Sequence, residues 1–178
     1  MLKRIINKIM VTLITDSQNA NYLRKCGYTI GEVSYIYKNA YIGSEPSLVK
    51  IGRNVRVTNG VYFITHDGGL WTLRKMGLIE NLEKFGKIEI GDNTHIGINS
   101  IIMPNVRIGK NCIIGCSAVV TKDIPDNSVA AGVPAKVIES IKEYYKKNSS
   151  LLHETKNMTD CDKESYIRNK LSKVDNEW

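Results

Sequence analysis

Proton transfer near neutral pH is the chemistry that this sequence is best equipped to perform, because it contains three histidines. His66 ends a periodic segment just before a long stretch without periodicity, which is where the rim of an active site is expected. His95 occupies the last position of a six-residue unit, so we expect it to point outward and to line a substrate groove. His153 lies in a charged helical tail, where a surface role is expected. His66 is therefore the candidate general base.

Two carboxylates compete for the place beside this histidine. The repeat described below makes Ile42 and Phe63 equivalent positions of adjacent coils, so Glu45 should stack directly against His66. Asp67 follows His66 in the chain and is the alternative orienting group. A carboxylate at one strand spacing can fix the tautomer of an imidazole and stabilise its protonated form. The sequence thus predicts a catalytic dyad and leaves open which carboxylate completes it.

The element that must position these groups is a six-residue repeat. An aliphatic residue recurs without a break at Ile90, Ile96, Ile102, Ile108, Ile114 and Val120. This period matches neither a helix nor a strand with two alternating faces. It predicts a parallel β-helix, in which three units form one coil of a triangular prism and successive coils stack about 4.8 Å apart.

The same phase continues upstream with two interruptions. One series comprises Ile30, Ile36, Ile42 and Leu48, and another, displaced by three residues, comprises Ile51, Val57 and Phe63. A non-repetitive excursion over residues 69–87 separates these from the regular part. We therefore predict four coils, over residues 30–50, 51–68, 90–107 and 108–125, within a β-helix domain of residues 30–136.

Helices are predicted on both sides of the repeat. Residues 1–29 form an expected N-terminal helical cap, with a second short helix from Asp16 to a C-cap at Gly27. The first helix places apolar residues at helical spacing opposite basic ones, namely Ile5, Ile6, Ile9, Leu13 and Ile14 opposite Lys3, Arg4 and Lys8. Covering an open solenoid end is favoured over weak docking on a membrane surface, which the same pattern permits.

The C-terminal segment, residues 137–178, is predicted to be a helical tail. Its last helix has an N-cap candidate in Asp160 or Asp162. The expected packing positions of this tail are Tyr144, Tyr145, Leu151, Leu152, Tyr166, Ile167 and Leu171.

The composition narrows the classes of partner. Lys and Arg outnumber Asp and Glu by 25 to 18 in 178 residues, which gives a formal charge of +7. The basic residues are dispersed and only 7% of residues are aromatic, so a nucleic acid is not expected to bind. A phosphorylated small molecule explains the excess equally well.

The cysteines and the N-terminus indicate the compartment. The four cysteines are scattered without a Cys-x-x-Cys pair or a neighbouring histidine, which predicts neither a disulfide framework nor a metal site. The apolar run of residues 9–14 is far shorter than the roughly 20 residues of a spanning helix. A cytoplasmic location is therefore expected.

Five segments together carry a resemblance to a known family. They are the hexapeptide series, Thr-Lys-Asp-Ile-Pro at residues 121–125, the Gly-Val-Pro-Ala-Lys region of residues 129–138, and Thr-His-Asp-Gly-Gly at residues 65–69 with residues 44–52. With these motifs the chain resembles the hexapeptide-repeat acyltransferases. It is similar in particular to sugar O-acetyltransferases of bacterial capsule, exopolysaccharide and O-antigen synthesis.

The resemblance implies a left-handed β-helix and acetyl transfer from acetyl-CoA by a homotrimer, with the cofactor in a groove between neighbouring prisms. It makes His66 the general base that activates a sugar hydroxyl for direct attack on the thioester. The positions that match the wall of the cofactor groove are Cys116, Ala118, Thr121, Lys122 and Lys136. Cys116 replaces a common alanine, and His95 stands where many relatives have tryptophan.

The excursion offers two candidate contacts for the acceptor. Trp71 could stack on a sugar ring, and Arg74 could bind a phosphate of the acceptor.

A zinc carbonic anhydrase is excluded because Ser100 stands where a second histidine would be needed after His95. An amino-sugar N-acetyltransferase and a non-catalytic β-helix scaffold are the alternatives to the O-acetyltransferase.

Overall fold

The computed structural model describes residues 14–170 and divides them into two compact units, the first ending at Tyr144 and the second beginning at Tyr145. The first predicted N-terminal helix, apart from Ile14, and the expected packing position Leu171 lie outside the described residues. Within residues 14–170, no helix has both the length and the apolar character needed to cross a membrane.

The first unit is built from short strands that form three separate sheets. They are β1 (Thr29–Ile30), β2 (Tyr35–Ile36), β3 (Val49–Ile51), β4 (Arg56–Val57), β5 (Tyr62–Phe63), β6 (Ile88–Ile90), β7 (His95–Ile96), β8 (Ile101–Ile102), β9 (Val106–Ile108), β10 (Ile113–Ile114), β11 (Val119–Val120), β12 (Ser128–Ala131) and β13 (Lys136–Ser140). The sheet orders are β1-β3-β6-β9, β2-β4-β7-β10-β12-β13 and β5-β8-β11. From β3 to β11 consecutive strands visit the three sheets in turn, as in a parallel β-helix.

The register places the aliphatic residues of the repeat directly above one another. In the first sheet Ile30 pairs with Ile51, Ile51 with Ile90, and Ile90 with Ile108. These residues and their counterparts in the other sheets are buried and form one column along the axis. Each such side chain contributes about 1.5–3 kcal/mol of hydrophobic stabilisation. The predicted register of the four coils is confirmed, except that Leu48 is only half-buried, in a 3-10 turn over Pro46–Leu48.

One corner of the prism carries a ladder of asparagines in the left-handed backbone region. Asn54, Asn93, Asn111 and Asn127 have φ between +52° and +59°. The side-chain amides of the first three donate in turn to the side-chain carbonyl of the next asparagine, at 2.9, 3.2 and 2.8 Å. Asparagine tolerates this backbone conformation better than most residues. The corresponding corner of the first coil instead holds Val33, which is exposed and has a φ of +50°.

The excursion after β5 leaves and rejoins the coil at the same place. It contains a short helix over Leu70–Lys75, numbered α2 because the helix α1 (Asp16–Lys25) precedes the coils. The Asp67 amide donates to the carbonyl of Lys84 at 2.9 Å, and the Gly86 amide donates to the carbonyl of Thr65 at 2.9 Å. His66 and Phe85 form an isolated antiparallel bridge between these two bonds. The two ends of the excursion are therefore tied together beside His66.

The helix before the coils, α1 (Asp16–Lys25), covers the first coil as expected. Its capping box joins Thr15 and Gln18, and Gly27 adopts a φ of +97° just after its C-cap. The side-chain amide of Asn19 donates to the carbonyl of Ile36 at 3.1 Å, and Arg24 Nε donates to that of Ile30 at 2.8 Å. Side chains of the helix thus satisfy carbonyl groups of the open end of the solenoid.

The segment after the coils departs from the predicted tail. Residues 137–140 belong to β13, which pairs antiparallel with β12, so the helix α3 (Ile141–Asn148) begins later than predicted. A 3-10 turn over Ser149–Leu151 and the helix α4 (Asp160–Lys170) follow. Thr159, rather than Asp160 or Asp162, caps α4, because its hydroxyl accepts a hydrogen bond from the Asp162 amide at 3.2 Å. Tyr144, Tyr145, Leu151, Leu152 and Ile167 are exposed instead of packed.

Candidate active site

Glu45 and His66 lie one above the other at the same corner of the first and second coils. Glu45 Oε2 is 3.6 Å from His66 Nδ1, and the Ser44 hydroxyl is 3.4 Å from the same nitrogen. The corner follows β5 in the third sheet, where the excursion begins, and the His66 side chain is 48% exposed. The predicted stacking of Glu45 on His66 therefore agrees with the structure, whereas its catalytic meaning stays a prediction.

The Glu45 carboxylate is held by two hydroxyl groups. Ser44 donates to its Oε1 at 2.7 Å, and the buried Thr65 donates to its Oε2 through a short hydrogen bond. Burial by itself would raise the pKa of Glu45, but the bonds from Thr65 and Ser44 and the nearby His66 lower that pKa below its usual value. Glu45 is consequently an ionised, oriented carboxylate at neutral pH.

The groups near Nδ1 favour one of the two tautomers of the His66 ring. The Glu45 carboxylate accepts hydrogen bonds, and the Ser44 hydroxyl accepts at Nδ1 because its own proton is donated to Glu45. Both neighbours of Nδ1 thus favour the tautomer that is protonated there. Nε2 is left with a free lone pair, which is the atom that a general base needs.

Asp67 has different partners, although it is adjacent to His66 in the chain. Its carboxylate accepts from the Gly69 amide at 3.0 Å and from Lys84 Nζ at 3.3 Å. The Gly69 amide and the Lys84 ammonium lower the pKa of Asp67. Asp67 therefore fastens the excursion, and the structure does not place its carboxylate as the partner of the His66 ring.

Two clefts meet at His66, and both are also lined by Asp67, Gly68 and Lys84. The first, which we call the polar cleft, has a volume of about 280 Å³ and is completed by Glu45, Arg74, Glu83 and Phe85. The second, which we call the apolar cleft, has a volume of about 400 Å³ and is completed by Ile64, Met103, Pro104, Asn105 and Thr121. One histidine thus faces two compartments of different chemistry.

Two of the residues predicted to contact the acceptor, Arg74 and Trp71, belong to the excursion but lie at different distances from the clefts. Arg74 lines the polar cleft, and its Nη1 donates to the carbonyl of Leu82 at 2.8 Å. Trp71 is exposed on α2 and stacks under Lys75 Nζ, 5.8 Å from the ring centroid, but does not line either cleft. Of the two side chains, only Arg74 is brought to His66.

His95 lies in the second sheet, on β7, whereas His66 follows a strand of the third sheet. Its strand neighbours are Arg56 and Ile113. Burial and then the charge of Arg56 lower the pKa of His95. Because His95 lines neither cleft, the structure does not bring this predicted acceptor contact to the site.

The residues predicted to line the cofactor groove are dispersed over the last coil and β13. Thr121 lines the apolar cleft together with His66. Cys116, Lys122 and Lys136 are exposed but line neither of the two clefts. Ala118 is completely buried, and its carbonyl accepts from the Ile101 amide at 2.8 Å, so its methyl group does not face a groove.

Sequence reasoning missed four groups around the histidine. Ser44 and Thr65 flank the dyad residues in the chain, and the register that paired Glu45 with His66 also pairs them. Lys84 and Phe85 had no signal, because the return path of the excursion has no period. Among residues 14–170, no group of three or more His, Cys, Asp or Glu side chains could hold a metal ion.

Comparisons with known proteins agree with the repeat. The family model described as bacterial transferase hexapeptide (six repeats) matches residues 87–122. Protein CapG of Staphylococcus aureus is 39% identical over 168 residues, a match that covers 93% of this chain and 96% of CapG. The galactoside O-acetyltransferase of Escherichia coli K12 is 37% identical over 131 residues, covering 68% of this chain and 63% of that enzyme.

Solved structures show the same architecture. A maltose O-acetyltransferase from Clostridium difficile 630 superposes with a TM-score of 0.55 at 29% identity, over 77% of this chain and 83% of that one. A galactoside acetyltransferase in complex with coenzyme A superposes with a TM-score of 0.58 at 33% identity, over 70% of each chain. These neighbours imply that the parallel β-helix is left-handed.

Proposed function

This chain belongs to the hexapeptide-repeat acetyltransferases and takes its acetyl group from acetyl-CoA, and from that premise we propose that it acetylates a hydroxyl of a sugar. The relatives that support this acceptor class are a galactoside and a maltose O-acetyltransferase. A sugar or a precursor of a surface polysaccharide is the acceptor that we propose for this chain.

His66 is the proposed general base. Its Nε2 takes the proton of the acceptor hydroxyl while the oxygen attacks the thioester carbonyl. The carbon–sulfur bond then breaks, and the imidazolium returns the proton to the departing thiolate of CoA. Glu45 stabilises the imidazolium, and the acetyl group never becomes attached to the enzyme. A backbone amide is expected to stabilise the negative charge on the carbonyl oxygen.

The two clefts suggest how the two substrates are divided. The polar cleft offers carboxylates and cations that can hydrogen-bond to sugar hydroxyls. The apolar cleft offers Met103, Pro104 and Ile64 to an extended, uncharged arm that carries a thioester. We propose that the acceptor occupies the polar cleft and the acetylated end of the donor the apolar cleft, with His66 between them.

The remaining cofactor contacts are proposed to form in a homotrimer. The catalytic unit is residues 30–136, and a groove between two prisms would bring the exposed Cys116, Lys122 and Lys136 to the donor. The two lysines would bind the phosphates of CoA, whereas the completely buried Ala118 would not touch the cofactor. We propose a cytoplasmic location, where acetyl-CoA is supplied.

The observation that carries this proposal is the dyad at the junction of the two clefts. It is tested by incubating the protein with acetyl-CoA and a panel of glycosides, sugar nucleotides, amino sugars and polysaccharides. Thiol release and mass spectrometry of the products report transfer. We expect an alkali-labile O-acetyl product, formed at a far lower rate by His66→Ala. Exclusive formation of N-acetyl products would contradict the proposal and favour an amino-sugar acceptor.

A further inference from the structure

One of the two hydroxyl groups that hold the Glu45 carboxylate lies inside the coil, and it is not one of the residues predicted from the sequence. We propose that Thr65 is a positioning residue, whose buried hydroxyl holds the Glu45 carboxylate so that one oxygen faces His66 Nδ1. This inference rests on the proposed role of His66 as the base. A buried residue of the prism would thus influence the reaction at its surface, by way of Glu45 and His66.

A buried threonine at position 65 lowers the stability of the fold unless its hydroxyl forms a hydrogen bond. Its side chain is 1% exposed, and burying a hydroxyl in an apolar interior is unfavourable unless it is hydrogen-bonded. Valine has a similar shape and would fill the same buried space without that cost. The hydroxyl instead donates to Glu45, whose Oε2 is also the oxygen nearest to His66 Nδ1. Thr65 therefore fixes the one oxygen that faces the base.

The neighbouring backbone is shaped to admit this side chain. A Cβ at Gly43 would lie 2.7 Å from the Thr65 hydroxyl oxygen and 2.8 Å from its methyl carbon. Gly43 also has a φ of +75°, which residues with side chains rarely adopt. The first coil thus leaves open the space that Thr65 needs in order to reach Glu45.

The charges around the carboxylate do not provide the same constraint. Asp67, Arg74, Glu83 and Lys84 line the same cleft, but Lys84 is bonded to Asp67 and Arg74 to the carbonyl of Leu82. On the opposite side, the hydroxyl of Tyr28 donates to the carbonyl of Gly43 at 2.8 Å, and burial raises the pKa of Tyr28 to about 12. The described hydroxyl donors to the Glu45 carboxylate are therefore Ser44 and Thr65.

The test compares Thr65→Val with Thr65→Ser in the full-length protein. We expect the valine variant to lose about tenfold in kcat, the rate equivalent of one hydrogen bond to a charged group, with KM for acetyl-CoA unchanged. The serine variant keeps the hydroxyl and should retain most of the rate. Thr58→Val is the matched control, because Thr58 is also buried and donates its hydroxyl to a carbonyl, that of Ile96.

A double-mutant comparison separates positioning from general stability. If Thr65 acts only through Glu45, Thr65→Val should change kcat by less than about twofold once Glu45 is alanine. Equal losses with Glu45 present or absent would show a merely structural role and overturn the proposal. So would a fully active Thr65→Val variant. If the valine variant does not fold, Thr65→Ala against Thr65→Ser gives the same comparison.

A measurement without substrate keeps this inference separate from the proposed function. Nitrogen-15 NMR of the His66 ring should show Nδ1 protonation as the main tautomer in the wild type and a mixture of tautomers in Thr65→Val. An unchanged ring spectrum would overturn the role of Thr65. Full activity of His66→Ala would instead overturn the proposed function, whatever the ring spectrum shows.

Discussion

The first two coils and the last two coils use the same column of aliphatic residues but differ in regularity. From Ile90 to Val120 the period of six is unbroken, and the corners carry asparagines joined side chain to side chain. Between residues 30 and 68 the phase is displaced, a 3-10 turn intervenes, and the chain leaves the coil beside His66. The candidate chemistry is concentrated where the repeat is interrupted.

This difference has a physical origin. In a uniform coil, each backbone group bonds to the coil above or below, and the outer faces are flat. Such a surface has few concave places for a substrate. The excursion after Thr65 creates walls around His66, and the corner residues Ser44 and Glu45 supply polar groups there. The regular coils therefore provide a rigid support, and the interruption provides the site.

The largest effect that distinguishes the two regions is expected from their histidines. His66→Ala should lower kcat by about two to four orders of magnitude with little change in CoA affinity, because it removes the general base. His95→Ala, on a strand of the regular part, should retain most of the activity. Steady-state kinetics with the identified acceptor measures both. The reverse order would place the reaction on the regular coils.

The two carboxylates of the interrupted region should differ as well. Glu45→Gln should lower kcat by about tenfold, since it weakens stabilisation of the imidazolium, and Asp67→Asn should affect kcat less because its carboxylate binds Lys84. Because the pKa of Glu45 lies below its usual value, that carboxylate is ionised throughout pH 6–8. A severe defect in Asp67→Asn beside a silent Glu45→Gln would identify Asp67 as the partner.

The C-terminal end of the prism is expected to contribute to binding of the acetyl donor. Charge reversal of Lys122 or Lys136 to Glu should weaken CoA binding by about tenfold, because it opposes the phosphates of the cofactor. Calorimetry with CoA measures the affinity, and Lys38→Glu on the first coils is a control of the same charge change. Unchanged affinity in both variants would move the phosphate contact away from the end of the prism.

The smallest effect concerns the corner at which the ladder stops. Val33→Asn should raise the free energy of unfolding by about 1 kcal/mol, because asparagine tolerates the positive φ better than a β-branched residue. Its amide could also donate to Asn54, whose own amide is already bonded to Asn93. Urea unfolding measures the change, and Val33→Gly relieves the backbone without extending the ladder. An asparagine variant no more stable than wild type would show that the ladder adds nothing at this corner.

The repeat made most of the fold predictable from the sequence. Equivalent positions of successive coils, three six-residue units apart plus any insertion at a corner, must stack in a β-helix, so the same rule that placed Ile30 above Ile51 also placed Glu45 above His66. The rule does not cover the excursion, because that segment has no repeat. The hydrogen bonds that hold the chain around Lys84 and Phe85 therefore could not be predicted. It also missed β13, whose Lys- and Glu-containing sequence suggested a helix until pairing with β12 was available.

The predicted site was incomplete for a related reason. Thr65 belongs to the Thr-His-Asp-Gly-Gly motif but was not predicted as a site residue, and its hydrogen bond to Glu45 is what suggests a role there. Trp71 and His95 had suitable chemistry for an acceptor, but their positions depend on the path of the excursion and on which sheet a strand joins. Residue type predicts what a side chain can do, whereas the three-dimensional path decides whether it can do so at His66.

Chemical rescue tests most directly the claim that the His66 imidazole is the base. Both clefts are lined by residue 66, so imidazole added to purified His66→Ala can reach the place of the missing ring. It should restore acetyl transfer in proportion to the concentration of neutral imidazole. The same addition should leave wild type and His95→Ala unchanged. A His66→Ala variant whose rate does not respond to imidazole, or that needs none to reach the wild-type rate, would contradict the account.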